Sequence, residues 1–320
     1  MSKVDVNIGL EFLQKSFMPQ ASPLRVCFTS RSSAGAWQIR GQQIAAMRSN
    51  WVATSQPSDE DIEQADLICL VKKPDIRVIE RARQMRKPLV FDIIDSWAQP
   101  EDGLKCHNTH EARELFLPVW RQINADGYIF PTWRMQEDLG ALVKNKVTIY
   151  HHYWPQIQKN KIRSRVEVIG YEGADYLGEW RSRIEKACRE RDIRFIANPV
   201  NYADLDIVIM ARGGVHGNFL SWRYKSNVKL ANAMGSGTPA LVHFEEMSAH
   251  DTDNGDVMFF TDQPGSFERQ LDRLINDHSL RMHIHKSFLS LAPCFNIQNI
   301  VEQFEGFFLR IFENQRNNNE

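Results

Sequence analysis

The sequence predicts an α/β protein made of two Rossmann-like, doubly wound domains facing across a cleft. Three observations carry that expectation. Short β-branched runs alternate with helical patterns, the mark of βαβ units and parallel sheets. The alternation occurs twice, with one polar, basic, proline-containing break, WPQIQKNKIRSR, between the two series. The length, 320 residues, is about what two domains need. The implied organisation is a first domain over 1–153, a linker over 154–164 and a second domain over 165–290. Residues 291–320 then form a helix packing back on the first domain, with a polar tail.

In the first series, LRVCFTS (24–30) reads as a strand, and RSSAGAWQIRG as a loop turning into a helix through QQIAAMR. DLICLVK (66–72) is a strand, PDIRVIERARQMR (74–86) a helix with proline at its start, and PLVFDIID (88–95) a strand. HEARELFLPVWRQI is a helix with Pro118 placed to kink it. DGYIFP, TWRMQEDLGALV and KVTIYHHY (146–153) follow as strand, helix and strand. In the second series, RVEVIGYEG, IRFIAN, DLDIVIM (204–210), TPALVHF and DVMFF read as strands, and GEWRSRIEKACRERD, SNVKLANAM and SFERQLDRLIND as helices. Near the C-terminus, Phe304, Phe307, Phe308, Leu309 and Phe312 form an apolar helical face. Its flanking charges are mixed, so a core role is favoured over a membrane surface.

The net charge of −1 supplies no general field for a polyanion, so no nucleic-acid partner is expected. Five cysteines without CxxC spacing argue against a disulfide framework or a zinc site and fit a reducing cytoplasm. MSKVDVNIGLEFLQKSF has no long apolar run, and no stretch reaches the roughly 18 residues of a membrane span. Peripheral membrane contact stays open. DLD (204–206) begins a strand and DTD (251–253) lies in a polar loop, so neither is read as a metal motif, and no cofactor or metal is required.

RYKSNVKLANAMGSGTPAL (223–241) concentrates the chemistry. Arg223, Lys225 and Lys229 crowd what reads as a helix start, with Ser226 as N-cap. Cations are unfavourable at that end of a helix unless an anion joins them. A diphosphate would supply the missing charge; the alternative is a solvated basic face balanced by Glu245 or Glu246. Lys225, Lys229 and Asn232 share a spacing that puts them along one face. Gly235-Ser236-Gly237 reads as a helix C-cap. Upstream, Arg212 sits past a strand end in a glycine-containing loop, positioned to meet phosphate or to be ordinary surface.

KSNVKLANAMGSGTPAL resembles the donor-binding region of GT-B-fold glycosyltransferases, where a K…KL.EAMA.GTPV-like segment forms a helix and the next strand. The Ala203–Asp204 strand before it and the Glu245–Glu246 loop after it fit the same order. The motif match spans roughly residues 203–246. The resemblance implies a glycosyltransferase that moves a sugar from a nucleotide-diphosphate sugar to a hydroxyl-bearing acceptor such as a glycan or lipid. Donor and phosphate contacts would come from Arg212, Arg223, Lys225, Ser226, Lys229 and Asn232. Retaining members of the family carry two glutamates eight positions apart; those positions here are Tyr224 and Asn232. A catalytically degenerate nucleotide-binding subunit and a nucleotide-sugar epimerase or hydrolase are therefore alternatives.

The remaining candidates lie at strand ends. Asp95, closing FDIID, is placed to act as general base in an inverting transfer or to cap a turn through Ser96. Of the His151–His152 pair, His152 is the second candidate for base or phosphate ligand. Gly35, Trp37 and Arg40 follow the first strand and would line the cleft, with Trp37 either stacking on a sugar or packing inside. In the second domain Gly170, Glu172 and Gly173 follow the equivalent strand, and with Glu245 they complete the expected cleft loops.

Overall fold

The computed structural model describes residues 19–32, 35–95, 106–173, 176–252 and 255–319. The N-terminal stretch, Ser96 and Asp253 of DTD lie outside them. The described residues divide into two compact units: 19–151 with 297–319, and 152–296.

The first unit is built on a six-stranded sheet in the order β2-β1-β3-β4-β5-β6, every pair parallel. Its strands are β1 Val26–Thr29, β2 Trp51–Ala53, β3 Leu67–Val71, β4 Leu89–Asp92, β5 Gly127–Phe130 and β6 Lys146–Thr148. β1, β3, β4 and β5 are buried at every residue, as strands covered on both faces must be. The chain goes from β1 outward to β2, then returns past β1 to β3, so the winding reverses between β1 and β3. β2 has three residues, too few to show a period. The expected 146–153 strand ends at Thr148.

The C-terminal helix Ile297–Asn319 belongs to this unit. Phe304, Phe307, Phe308 and Ile311 are buried with Phe28 and Trp51 in one core. The Phe308 ring lies 5.8 Å from that of Phe28 and 5.6 Å from that of Trp51. Arg48 pairs with Glu305 at 2.8 Å on the rim of this contact.

After β1 the chain enters a helical turn, Gly35–Trp37, that widens into a π-helical segment, Gln38–Gln43. A Cβ on Gly41 would stand 2.3 Å from the Trp37 ring. Gly41→Ala gains roughly 1 kcal/mol of helix propensity. Overpacking costs about 1–3 kcal/mol. The clash is with a ring packed in the core, so the expected outcome is a lowered urea midpoint.

The second unit has a five-stranded parallel sheet in the order β11-β10-β9-β7-β8. Its strands are β7 Val168–Tyr171, β8 Arg194–Ala197, β9 Ile207–Met210, β10 Ala240–His243 and β11 Met258–Phe260. The winding repeats that of the first sheet, with its reversal between β7 and β9. Residues 154–164 are tied to this unit. Asn160 donates to the Leu205 carbonyl at 2.5 Å and to Thr238 at 2.9 Å, and Lys159 donates to the Gly235 carbonyl at 2.6 Å. Asp206 of DLD pairs with Arg163 at 2.7 Å and accepts from the backbone of Glu167 and Val168, a structural use. The helix His278–Leu291 has no expected counterpart, because its polar and apolar residues are mixed. Among the described residues no helix is long and apolar enough to cross a membrane.

Candidate functional site

In open α/β sheets ligands bind beyond the carboxyl ends of the strands where the winding reverses. In the second unit that place lies past β7 and β9, and the cations of interest meet there. Arg212 follows β9 and is buried; its Nη1 donates to Glu246, which follows β10 and is buried as well. Glu246 keeps a second oxygen, Oε1, buried and without a hydrogen-bond partner among the described residues. It is Glu246, not the more exposed Glu245, that faces the cation.

Lys229 sits in the first turn of the helix Val228–Ser236. Its Nζ lies 4.4 Å from the centre of the Tyr171 ring and 3.4 Å from that residue's hydroxyl. Burial pushes its pKa down to about 7, and the Arg212 charge adds to the effect; Glu246 and Glu172 oppose it, while Lys225 reinforces it. Gly173 makes the approach feasible. Its φ is +133°, and a Cβ there would stand 3.3 Å from Nζ of Lys229.

Behind Lys229 is a buried polar network. Glu172 accepts from the Tyr202 hydroxyl and, at 3.0 Å, from the Asn232 side-chain amide. The Asn232 oxygen accepts from the Trp154 backbone at 2.8 Å. Asn232 is therefore wholly buried and spent on the protein, not aligned with the lysines on an open face. Burial and the neighbouring carboxylate raise the Tyr202 hydroxyl far above its usual pKa, so it remains a donor.

The 223–229 segment is two helices, not one. Phe219–Tyr224 ends with Lys225 as its C-cap, and the next helix starts at Val228 after Asn227. Ser226 is thus not the N-cap; Asn227 occupies that position, without a side-chain capping bond. Arg223 is in the last turn of the earlier helix, where a cation is welcome, with its guanidinium 5.6 Å from the Phe219 ring. Tyr224 is buried. Gly237 is the left-handed C-cap, as read from the sequence.

The structure places the other sequence-predicted residues as follows, and it corrects Arg40 and Gly170. Arg40 is wholly buried and engaged by the protein: it holds Asp92 through two hydrogen bonds of 2.9 and 2.8 Å and donates to the carbonyls of Ile149 and Tyr150. Asp95 pairs with Lys72 at 2.7 Å, and both backbones are left-handed, with φ of 57°. His152 is buried, and its Nδ1 lies 2.8 Å from the Tyr153 carbonyl oxygen, a contact that makes Nδ1 the donor. Gly170 makes room for Leu205, 2.4 Å from where its Cβ would be, and so serves packing. Trp37 is a core residue with one edge on a cavity; Gly35 opens the turn before it. Tyr171 and Tyr202 went unread in the sequence, since nothing local distinguishes them from packing tyrosines.

No protein-family model matches the chain, and no curated protein matches it in sequence. Solved structures do match. α,α-Trehalose 6-phosphate synthase from Burkholderia multivorans aligns with a TM-score of 0.58 at 9% identity, over 95% of this chain and 100% of its own. TarM aligns with a TM-score of 0.55 at 11% identity, over 77% of this chain and 54% of its own. The trehalose-phosphate synthase from Burkholderia vietnamiensis gives 0.53 at 10% identity, over 77% of this chain and 74% of its own. The fold is GT-B.

Within this GT-B fold, the carboxylate that retaining members place at the position of Asn232 is absent from the helix. The Asn232 amide instead donates to a carboxylate from another element, that of Glu172 at the end of β7.

A proton-linked consequence follows from Lys229. Its folded pKa lies below the ordinary lysine value of 10.5, so between about 7 and 10.5 the unfolded chain binds more protons, and stability from this group rises with pH across that window. An anion bound beside Nζ reverses the preference. Anion binding near pH 8 is expected to take up a proton, read by calorimetry in buffers of different ionisation enthalpy, and Lys229→Arg should remove the uptake.

Proposed function

We propose that the chain is a glycosyltransferase that binds a nucleotide-diphosphate sugar through the second unit and passes the sugar to a hydroxyl-bearing acceptor. The observation that carries this is the placing of two cations past the strand ends at the β7–β9 reversal: Lys229 against the Tyr171 ring, and Arg212 directly after β9. Arg212, Lys225 and Lys229 outnumber Glu172 and Glu246 there, and a diphosphate offsets the excess. As the glycosidic bond breaks, negative charge grows on the leaving diphosphate, and fixed cations stabilise that state more than the ground state. The unpartnered Oε1 of Glu246 would accept from a hydroxyl of the donor. Asp95 stays the proposed base for an inverting transfer, its carboxylate positioned by Lys72 at 2.7 Å. A TarM variant has been solved with UDP, which makes UDP the first nucleotide to try.

A second reading has one observation in its favour. Asn232 is buried where retaining relatives of this fold carry glutamate, which suits a subunit that binds nucleotide without turnover. The test is a thermal-shift screen of nucleoside diphosphates and their sugars, followed by product release over an acceptor panel. A nucleotide at a hundred times its Kd is expected to stabilise by about 2.7 kcal/mol. No response to any nucleotide would sink the proposal; binding without transfer would select the second reading.

A further inference from the structure

The first unit has a cavity that the donor reading does not use. It holds about 440 Å3. Ser30 and Arg31 reach it from the end of β1, Asp75 and Arg77 from beyond β3, and Gln38 and Gln42 from the π-helical segment. This is the winding reversal of the first sheet, the place where ligands bind in such folds. The Trp37 edge lines it. A second cavity of about 320 Å3 adjoins, sharing Ser55, Gln56, Asp75 and Arg77 with the first. The two run on from one another through these shared residues as one open groove.

Its chemistry is selective. Hydroxyls, primary amides, a carboxylate and guanidinium groups offer donors and acceptors in pairs, as vicinal sugar hydroxyls require. Apolar lining is confined to the Trp37 edge and, in the adjoining cavity, to Pro57, Ile62 and Val78, less than a lipid tail needs along its length. Asp75 is held below the usual carboxylate range, first by its hydrogen bonds with Arg77, and Arg31 adds to this. In the adjoining cavity Arg81 is matched by Asp59 at 2.9 Å. Asp75 thus balances one arginine and leaves one positive charge, with Arg31 nearer β1.

We propose that this groove takes the acceptor, and that the acceptor is an acidic carbohydrate of more than one ring, its phosphate or carboxylate set against Arg31. The inference rests on the glycosyltransferase reading and names its second substrate.

The experiment follows the Trp37 indole resonance of the full chain during titration with four probes. These are a hyaluronan tetrasaccharide, a phosphorylated maltotetraose, neutral maltotetraose and dodecyl maltoside. The acidic probes are expected to shift the resonance at millimolar concentration, and the better of the two tells carboxylate from phosphate. Loss of a charge-assisted bond in Arg31→Ala should weaken them about tenfold. Arg31 is exposed, so this variant keeps the fold. The proposal is overturned if no probe moves Trp37, if the neutral sugar binds as well as the acidic ones, or if the alkyl glycoside binds best. Nucleotide stabilisation measured on the same sample separates the two claims. If it persists while every sugar fails, only the acceptor assignment is lost; if it too is absent, the donor reading falls with it.

Discussion

Arg40→Ala is expected to destabilise the first unit by about 3–5 kcal/mol, because it leaves Asp92 charged and unpartnered in a wholly buried place. The effect belongs to the loss of compensation, not to a strong net attraction. Burial raises the Asp92 pKa even though Arg40 pulls it down, so desolvation outweighs the pairing. The sign for pH follows. A carboxyl whose folded pKa is raised holds its proton longer in the folded state, so stability from this group falls as pH rises through the window from its unfolded to its folded pKa. The check is a double-mutant cycle by urea unfolding. Arg40→Met with Asp92→Leu should cost well under the sum of the single changes. It will not be free, since the carbonyls of Ile149 and Tyr150 lose their donor. Strict additivity would show that the two side chains act independently and would refute the account.

Lys229→Ala should abolish most of the stabilisation that nucleoside diphosphates give, while leaving the free protein at least as stable near neutral pH. Both halves have one cause: burial beside Arg212 disfavours the ammonium in the folded site. Removing it relieves a cation that burial disfavours and at the same time deletes the ammonium that lies 4.4 Å from the ring of Tyr171, the last residue of β7. Lys229→Arg should keep part of the ligand response, because an arginine stays charged where lysine hovers near neutrality. An unchanged thermal shift in the alanine variant would move the anion site elsewhere.

How much of this was readable in advance depended on how far each fact reaches along the chain. The twofold alternation and the apolar face of the last helix are local patterns, and both are found. The Gly237 cap, and the place of Lys229 in the first turn of its helix, were legible for the same reason. The break at Lys225–Asn227 was not, because no proline marks it and Ser226 and Asn227 are both good capping types. Arg40 was misread because its partners, Asp92 and Ile149, are 52 and 109 positions away. The choice between Glu245 and Glu246 turns on which side chain points inward after β10, and adjacent residues in a loop do not announce that. The Glu172–Asn232–Tyr202 network joins three separate elements, so nothing in any one of them hints at the others.

The closing role of Ile297–Asn319 also bears on how the molecule is made. On a ribosome, the sheet of the first unit is synthesised before the second unit, but Phe304, Phe307, Phe308 and Ile311 come after it. Until they emerge, Phe28 and Trp51 have no cover on that side. The second unit, contiguous in the chain, can complete its core while still tethered, so the half translated first is the half that finishes folding last.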